Sequence, residues 1–233
     1  MRPIALGDNG IIFQFPTGIN ETTHLQVMQL FYALAQVNYS WVIDIIPAYD
    51  SVTVFFDLRA VSKIATSNQP HQWVQETLSL TSLTLAHMPA SIAPIAIPAC
   101  YDSSLAPDLQ NLATLKNLSV EEVINLHSSL VYKVYMIGFL PGFAYMGTVH
   151  ERIQMKRKDI PATHVAAGSI GIAGEQTGIY PLDSPGGWQI IARTPISIFD
   201  IEKESPCYLA PGNLVQFMPI SLTEFNKIKS RYT

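Results

Sequence analysis

Nine of the 13 glycines in this 233-residue chain fall between Gly138 and Gly187. They stand in three runs: Gly138-Phe139-Leu140-Pro141-Gly142-Phe143-Ala144-Tyr145-Met146-Gly147, Ala166 to Pro181, and Ser184-Pro185-Gly186-Gly187-Trp188-Gln189. Glycine admits positive φ and lets backbone approach backbone or ligand where a Cβ would collide. Set among Ile, Val, Tyr and Phe, this density predicts short, sharply curved strands with backbone exposed in places. From Val131 to about Pro219 the pattern is apolar runs with Gly and Pro corners, which predicts a closed barrel that leaves no free edge.

The residues before that region read differently. Ile11–Phe15 predicts a strand, and Asn20 is a helix N-cap with Thr23 three residues on. Apolar residues at helical spacing then continue to about Gln36. Trp41–Ala48 and Ser51–Phe56 predict two strands, and a second helix runs from Pro70 to about Leu85. This order predicts a small α+β domain over residues 1–90, two helices covering one sheet face, followed by the mainly-β barrel domain over 91–233. Pro89, Pro94 and Pro98 place the boundary near 88–94 and favour an extended crossing strand. Two short helices follow, Asp108–Thr114 and one opened by the capping box of Ser119 and Glu122 and ending near His127.

Composition narrows the function. At 48% hydrophobic, 14% charged and net charge −4, the chain is globular and carries no footprint for nucleic acid. Lys156-Arg157-Lys158 is its basic cluster, and a solvated loop is the commoner use of such a run. The longest apolar run, Val134–Gly147, is interrupted by Gly138, Pro141 and Gly142 and falls short of a membrane span. Cys100 and Cys207 form neither a disulfide framework nor a metal pair, and no two histidines are spaced as metal ligands on a helix face. Ile4-Ala5-Leu6 is too short for a signal peptide core, so a cytoplasmic, reducing location is expected.

Gly168, Gly171 and Gly174 are the candidate cofactor-binding positions. Their spacing matches neither nucleotide-loop signature, and bulges in a tight barrel are the competing reading. Ala167-Gly168-Ser169-Ile170-Gly171 stops one residue short of a nucleophile elbow. The segment after Ser169 is no helix, which leaves that residue a hydrogen-bonding group. Gln176, Thr177, Tyr180, Ser184 and Arg193 offer an amide, hydroxyls and a guanidinium to a small carbonyl or carboxylate ligand. Arg193 follows Ile190-Ile191-Ala192. A guanidinium there either pairs with Asp183 or Asp200 or receives an anionic ligand. Phe143, with Phe139, Tyr145 and Trp188, lines a pocket or packs a core. His127 sits where a protonated imidazole suits a helix C-terminus, with proton transfer as the other reading.

The motifs Tyr135–Phe139 with Pro141-Gly142-Phe143, Ala167-Gly168-Ser169, Gly171–Gly174, Gln176–Pro181, Ser184–Trp188 and Arg193-Thr194-Pro195 resemble the KipI / allophanate hydrolase subunit 1 family. Ser119–Ile124, Leu126-His127 and Pro211-Gly212 fit it too. The match is strong over about residues 90–220. The resemblance implies a cyclophilin-like barrel and membership of an ATP-dependent 5-oxoprolinase. That complex includes a second cyclophilin-like subunit and a third subunit, and together they open 5-oxoproline to glutamate. ATP is the cofactor of the complex, and its expected task is phosphorylation of the lactam oxygen before water attacks. In that frame Arg193 holds a carboxylate or phosphate, Gln176, Tyr180 and Ser184 orient the substrate, and His127 exchanges a proton. Other members imply an inhibitor that docks on a sensor histidine kinase, or a urea carboxylase-related subunit. The chain departs from the family where Asp102–Ala106 replaces Gly-Gly-Glu-Phe-Gly, so that Ser104 stands in the glutamate's place. His164 likewise replaces a common Arg and Ala166 a common Pro.

Overall fold

The structure, a computed structural model, describes residues 1–16, 18, 20–66, 69–81 and 93–231. Its contacts gather into two units, Met1–Ser91 and Ile92–Thr233. The expected boundary segment lies, up to residue 92, outside the described residues, as does the expected end of the second helix near Leu85.

In the first unit, β1 (Arg2–Leu6) turns at Gly7 into β2 (Gly10–Gln14). α1 (Glu21–Val37) follows, its Thr23 amide donating to Asn20 Oδ1 at 2.8 Å, and left-handed Asn38 ends it. β3 (Val42–Pro47) and β4 (Ser51–Phe56) lead to α2 (Leu58–Ile64) and α3 (Pro70–Thr81). The sheet is antiparallel in the order β1-β2-β4-β3. Alternate residues of β4, Val52, Val54 and Phe56, meet Val27 and Leu34 of α1 and Val74 and Leu78 of α3 in one core. Two elements here escape the sequence pattern. β1 is nearly all exposed and so shows no apolar alternation. α2 is a short helix whose start is fixed by Asp57 Oδ1, which accepts the Arg59 and Ala60 amides.

The second unit is the barrel with its flanking helices. β5 (Ile95–Cys100) precedes α4 (Leu109–Leu115) and α5 (Val120–Ser128), and the Ser119–Glu122 capping box is complete. Then come β6 (Val131–Ile137), β7 (Ala144–Gly147), β8 (Ala162–Val165), β9 (Ser169–Ala173) and β10 (Gln176–Ile179). β11 (Ser184–Gly186), β12 (Gln189–Arg193), β13 (Leu214–Ile220) and α6 (Leu222–Lys229) complete the chain. Seven strands close in the order β10-β7-β6-β13-β5-β12-β9, while β8 and β11 form a separate ribbon. β5 pairs parallel to β13, and the other barrel pairs are antiparallel. Closure explains why β9 and most of β12 are buried on both faces: Ile170, Ile172 and Ile191 point to the same core as Val134, Met146 and Phe217. Pro98, which has no amide hydrogen to give, stands in β5 opposite Met218 of β13, and the pairing of β5 with β12 is at Cys100.

Candidate functional site

The site grows from a mismatch between β9 and β12. Pairing runs Ile190 to Gly171 and then Ala192 to Ile170, so Ile191 is an extra residue and the ladder is bulged. The bulge turns the Ile190 backbone toward α4. There the Asp108 amide donates to Ile190 O at 3.0 Å and Asp108 Oδ2 accepts the Ile190 amide at 2.6 Å. Asp108 stands at the N-cap of α4, yet its side chain makes no capping bond there. Its carboxylate instead holds Ile190 and the Lys158 ammonium, 2.6 Å away.

Beyond the bulge, Arg193 ends β12 directly across from Ser169, the first residue of β9. Cross-strand partners project to the same side, and the two share a cavity of about 210 Å³ with Ser104, Leu105, Lys158 and His164. Arg193 Nε donates to Ala167 O at 2.8 Å, which fixes the guanidinium plane. Its terminal nitrogens pair with no carboxylate among the described residues. Of the two internal partners expected for it, Asp183 accepts the Ala167 amide at 2.7 Å and meets His164 Nε2 at 3.3 Å, and Asp200 meets Lys203. The Ala167 amide first and His164 second hold the Asp183 carboxyl below its usual range. The Ser169 hydroxyl also lacks a partner among the described residues, although the residue is only 4% exposed. Arg193 further walls a second cavity, of about 200 Å³, on the side of Thr194 and Ser197.

Gly168 makes this geometry possible. Its φ is +82°, its amide donates to Tyr180 O at 2.7 Å, and its carbonyl accepts from the Thr194 amide at 2.9 Å. A Cβ there would collide with the Thr194 carbonyl. The Gly174 amide donates to Met155 O, and Gly171 lies mid-strand between β10 and β12. With the Gly168 and Gly174 amides given to backbone carbonyls, the three glycines do not present a row of free N–H groups to a phosphate. Gly168 and Gly171 are packed against β12 and the residue after it, whereas Gly174 has open space where a Cβ would stand.

The remaining expected residues disperse. His127 is fully buried, stacked on Phe217 with ring centroids 4.7 Å apart. Thr177 Oγ1 donates to Gly171 O at 3.1 Å, so it accepts from His127 Nε2–H at 3.0 Å. The Tyr101 hydroxyl then donates to Nδ1 at 2.7 Å. This chain fixes one neutral tautomer, and burial pushes the pKa down to about 3. The imidazole therefore neither caps α5 as a cation nor exchanges protons near neutral pH, and Thr177 faces the same interior. Gln176 opens β10 at the end away from Tyr180, whose amide donates to Ser169 O. Four residues of strand separate the two by about 13 Å. Phe143 and Tyr180 pack edge-on at 5.1 Å in a cluster with Tyr145 and Trp188. Ser184 stands on β11 opposite Val165, a residue of the cavity wall, and its hydroxyl is buried without a partner among the described residues.

Lys158 is the residue that sequence reasoning does not reach. The basic run predicts a solvated loop. Lys156 matches that, with its ammonium on exposed Asp159, but the Lys158 side chain is only 23% exposed. Its amide donates to Gly187 O at 2.7 Å, so both ends of the residue are held. Its partners lie 29 and 50 positions away in the chain, and no local pattern carries that. Among the described residues no group of His, Cys, Asp and Glu is arranged to hold a metal.

A chain with this bulged, closed barrel and a four-stranded unit has counterparts among known proteins. The chain belongs to the family described as carboxyltransferase domain, subdomain C and D, whose model matches residues 1–209. More particularly, it is similar to the 5-oxoprolinase subunit designated B in Bacillus subtilis (strain 168), at 36% identity over 96% of this chain and 95% of that protein. The protein of the same name from Escherichia coli O157:H7 is 33% identical over 94% of this chain and 95% of its own length. The urea amidolyase of K. lactis superposes on 98% of this chain with a TM-score of 0.72. At 17% identity and 15% of that protein's length, this is a likeness of fold.

Proposed function

We propose that this chain is a subunit of an ATP-dependent 5-oxoprolinase, and that its own contribution is the cavity between Ser169 and Arg193. The observation that carries the reading is a guanidinium fixed at Nε that faces a hydroxyl in a cavity of about 210 Å³, both without a further side-chain partner among the described residues. Drug-sized ligands occupy about 300–1,000 Å³. The cavity is below that range, which suits a small carboxylate such as 5-oxoproline better than a nucleotide. Similarity to named 5-oxoprolinase subunits along nearly their whole length supports the same substrate.

A lactam is a resonance-stabilised amide, and ATP supplies the driving force for opening it within the complex. This chain holds the carboxylate on Arg193 and a neighbouring oxygen on Ser169 Oγ, while the strand pairing of β9 and β12 fixes the two relative to each other. Its partners are a second subunit with a cyclophilin-like barrel, matching the one in this chain, and a third subunit. All three work in the cytoplasm. A kinase-inhibitor role would use an outer surface and leave this cavity idle. The unpaired guanidinium favours the enzyme subunit.

Reconstitution with the two partner subunits tests the reading through glutamate formed and phosphate released from ATP. Arg193→Ala should retain assembly and lose at least about 100-fold in kcat/KM, since a buried charge-assisted bond to substrate is worth about 3 kcal/mol. Undiminished turnover by Arg193→Ala removes this cavity from the reaction.

A further inference from the structure

Arg193 lines the cavity whose wall also carries Lys158, and the two cations are held in different ways. Arg193 is tied to a neutral carbonyl, Ala167 O, and has no carboxylate at ion-pair distance among the described residues, although the Asp183 carboxylate feels its charge. Lys158 is tied to a carboxylate, Asp108, which cancels its charge but engages one of its three N–H donors. The cavity thus offers a guanidinium with no direct ion pair among the described residues and, separately, a neutralised ammonium with hydrogen-bond donors to give. A ligand matched to both carries a single carboxylate and, at its other end, an uncharged oxygen acceptor.

The lactam of 5-oxoproline has that composition: a carboxylate on one ring carbon and an amide oxygen across the ring. We propose that Lys158 donates to the lactam oxygen while Arg193 holds the carboxylate, and that Asp108 is the positioning residue that sets Lys158 in place. This rests on the assignment of 5-oxoproline to this cavity. The supports of Lys158 are unusual for a residue in a basic run. Its amide is fixed on Gly187 O, its ammonium on Asp108 Oδ2, and Asp108 is itself stapled to Ile190 through two bonds. An N-cap aspartate that leaves its own helix uncapped to do this gives up about 1 kcal/mol of helix stability, which an incidental surface ion pair does not repay. Lys158 therefore sets specificity: it distinguishes a ring carbonyl from a ring methylene, as Arg193 distinguishes an acid from its absence.

The test is ligand binding to the full chain, followed by NMR line shifts or calorimetry, with 5-oxo-L-proline, L-proline (no ring carbonyl) and 2-pyrrolidinone (no carboxylate). The wild-type chain should prefer 5-oxo-L-proline over both by roughly tenfold or more, the range of one hydrogen bond or charge contact. Lys158→Met should lose the preference over L-proline while keeping that over 2-pyrrolidinone, and Arg193→Met should do the reverse. Asp108→Asn keeps an acceptor for the Ile190 amide but no longer holds the ammonium. It should mimic Lys158→Met in selectivity without a matching loss of thermal stability. Lys158→Met with an unchanged preference for the ring carbonyl overturns the role of Lys158 while leaving the cavity assignment in place. A wild-type chain that binds none of the three overturns the cavity assignment and this inference together.

Discussion

The buried imidazole of His127 makes the barrel's stability depend on pH in a calculable way. In the fold its pKa is lowered to about 3 by burial, against 6.5 for an ordinary histidine. Below pH 6.5 the unfolded chain takes up a proton that the folded chain refuses, so acid favours unfolding. The contribution is fully present above pH 6.5 and is lost as pH falls toward 3. At about 1.4 kcal/mol per pH unit, lowering the pH to about 4.5 removes about 3 kcal/mol, a large share of a domain's usual 5–15 kcal/mol. His127→Gln keeps an N–H donor for Thr177 and has no proton to gain. Urea unfolding of the barrel at about pH 7 and about pH 4.5, in both proteins, isolates the term from the carboxylates they share. Wild type should lose about 3 kcal/mol more than the variant over that interval. Equal losses, or an imidazole NMR signal assigned to His127 that titrates near 6.5, would refute the neutral, hydrogen-bonded histidine.

Gly168→Ala places a methyl against the Thr194 carbonyl in a left-handed backbone. It should cost about 3 kcal/mol or more and lower the barrel's thermal midpoint by roughly 6–12 °C, read by calorimetry. Ser221→Ala removes the capping box that opens α6, where Ser221 Oγ accepts the Glu224 amide. The expected loss is about 1 kcal/mol, with faster amide exchange confined to residues 222–229.

The helices and strands legible in the sequence are those with a local cause. Asn20 and Ser119 announce their helices because a cap is written within four residues. Barrel closure is legible because Gly and Pro corners recur at close intervals along residues 131–219. α6 has the same kind of capping box as α5, in Ser221 and Glu224, and is equally legible from that local signal. In the site, Arg193 stands out as a charge after three apolar residues, and Ser169 as a hydroxyl in a glycine turn. That they face each other is decided by the register of β9 on β12, which the sequence states only through a bulge. His127 misleads for the same reason: its place at a helix end is local, but Phe217, Tyr101 and Thr177, which make it neutral, arrive from other strands and loops. Lys158 is invisible in the sequence because its position depends on an aspartate on the far side of the cavity wall.

The anchoring of Asp108 to Ile190 has an evolutionary corollary. The stretch from Asp102 to Pro107 is pinned at one end by Tyr101, sunk in the barrel interior, and at the other by those two hydrogen bonds between Asp108 and β12. Between those posts Ser104 and Leu105 border the cavity without supporting any strand. Within it Ala106 belongs to the barrel core, so the positions open to change are the more exposed ones, and changes there reshape the chamber while the cylinder beneath keeps its register. Relatives with the same scaffold and different residues at Ser104 and Leu105 can diverge in what they admit at little cost in folding.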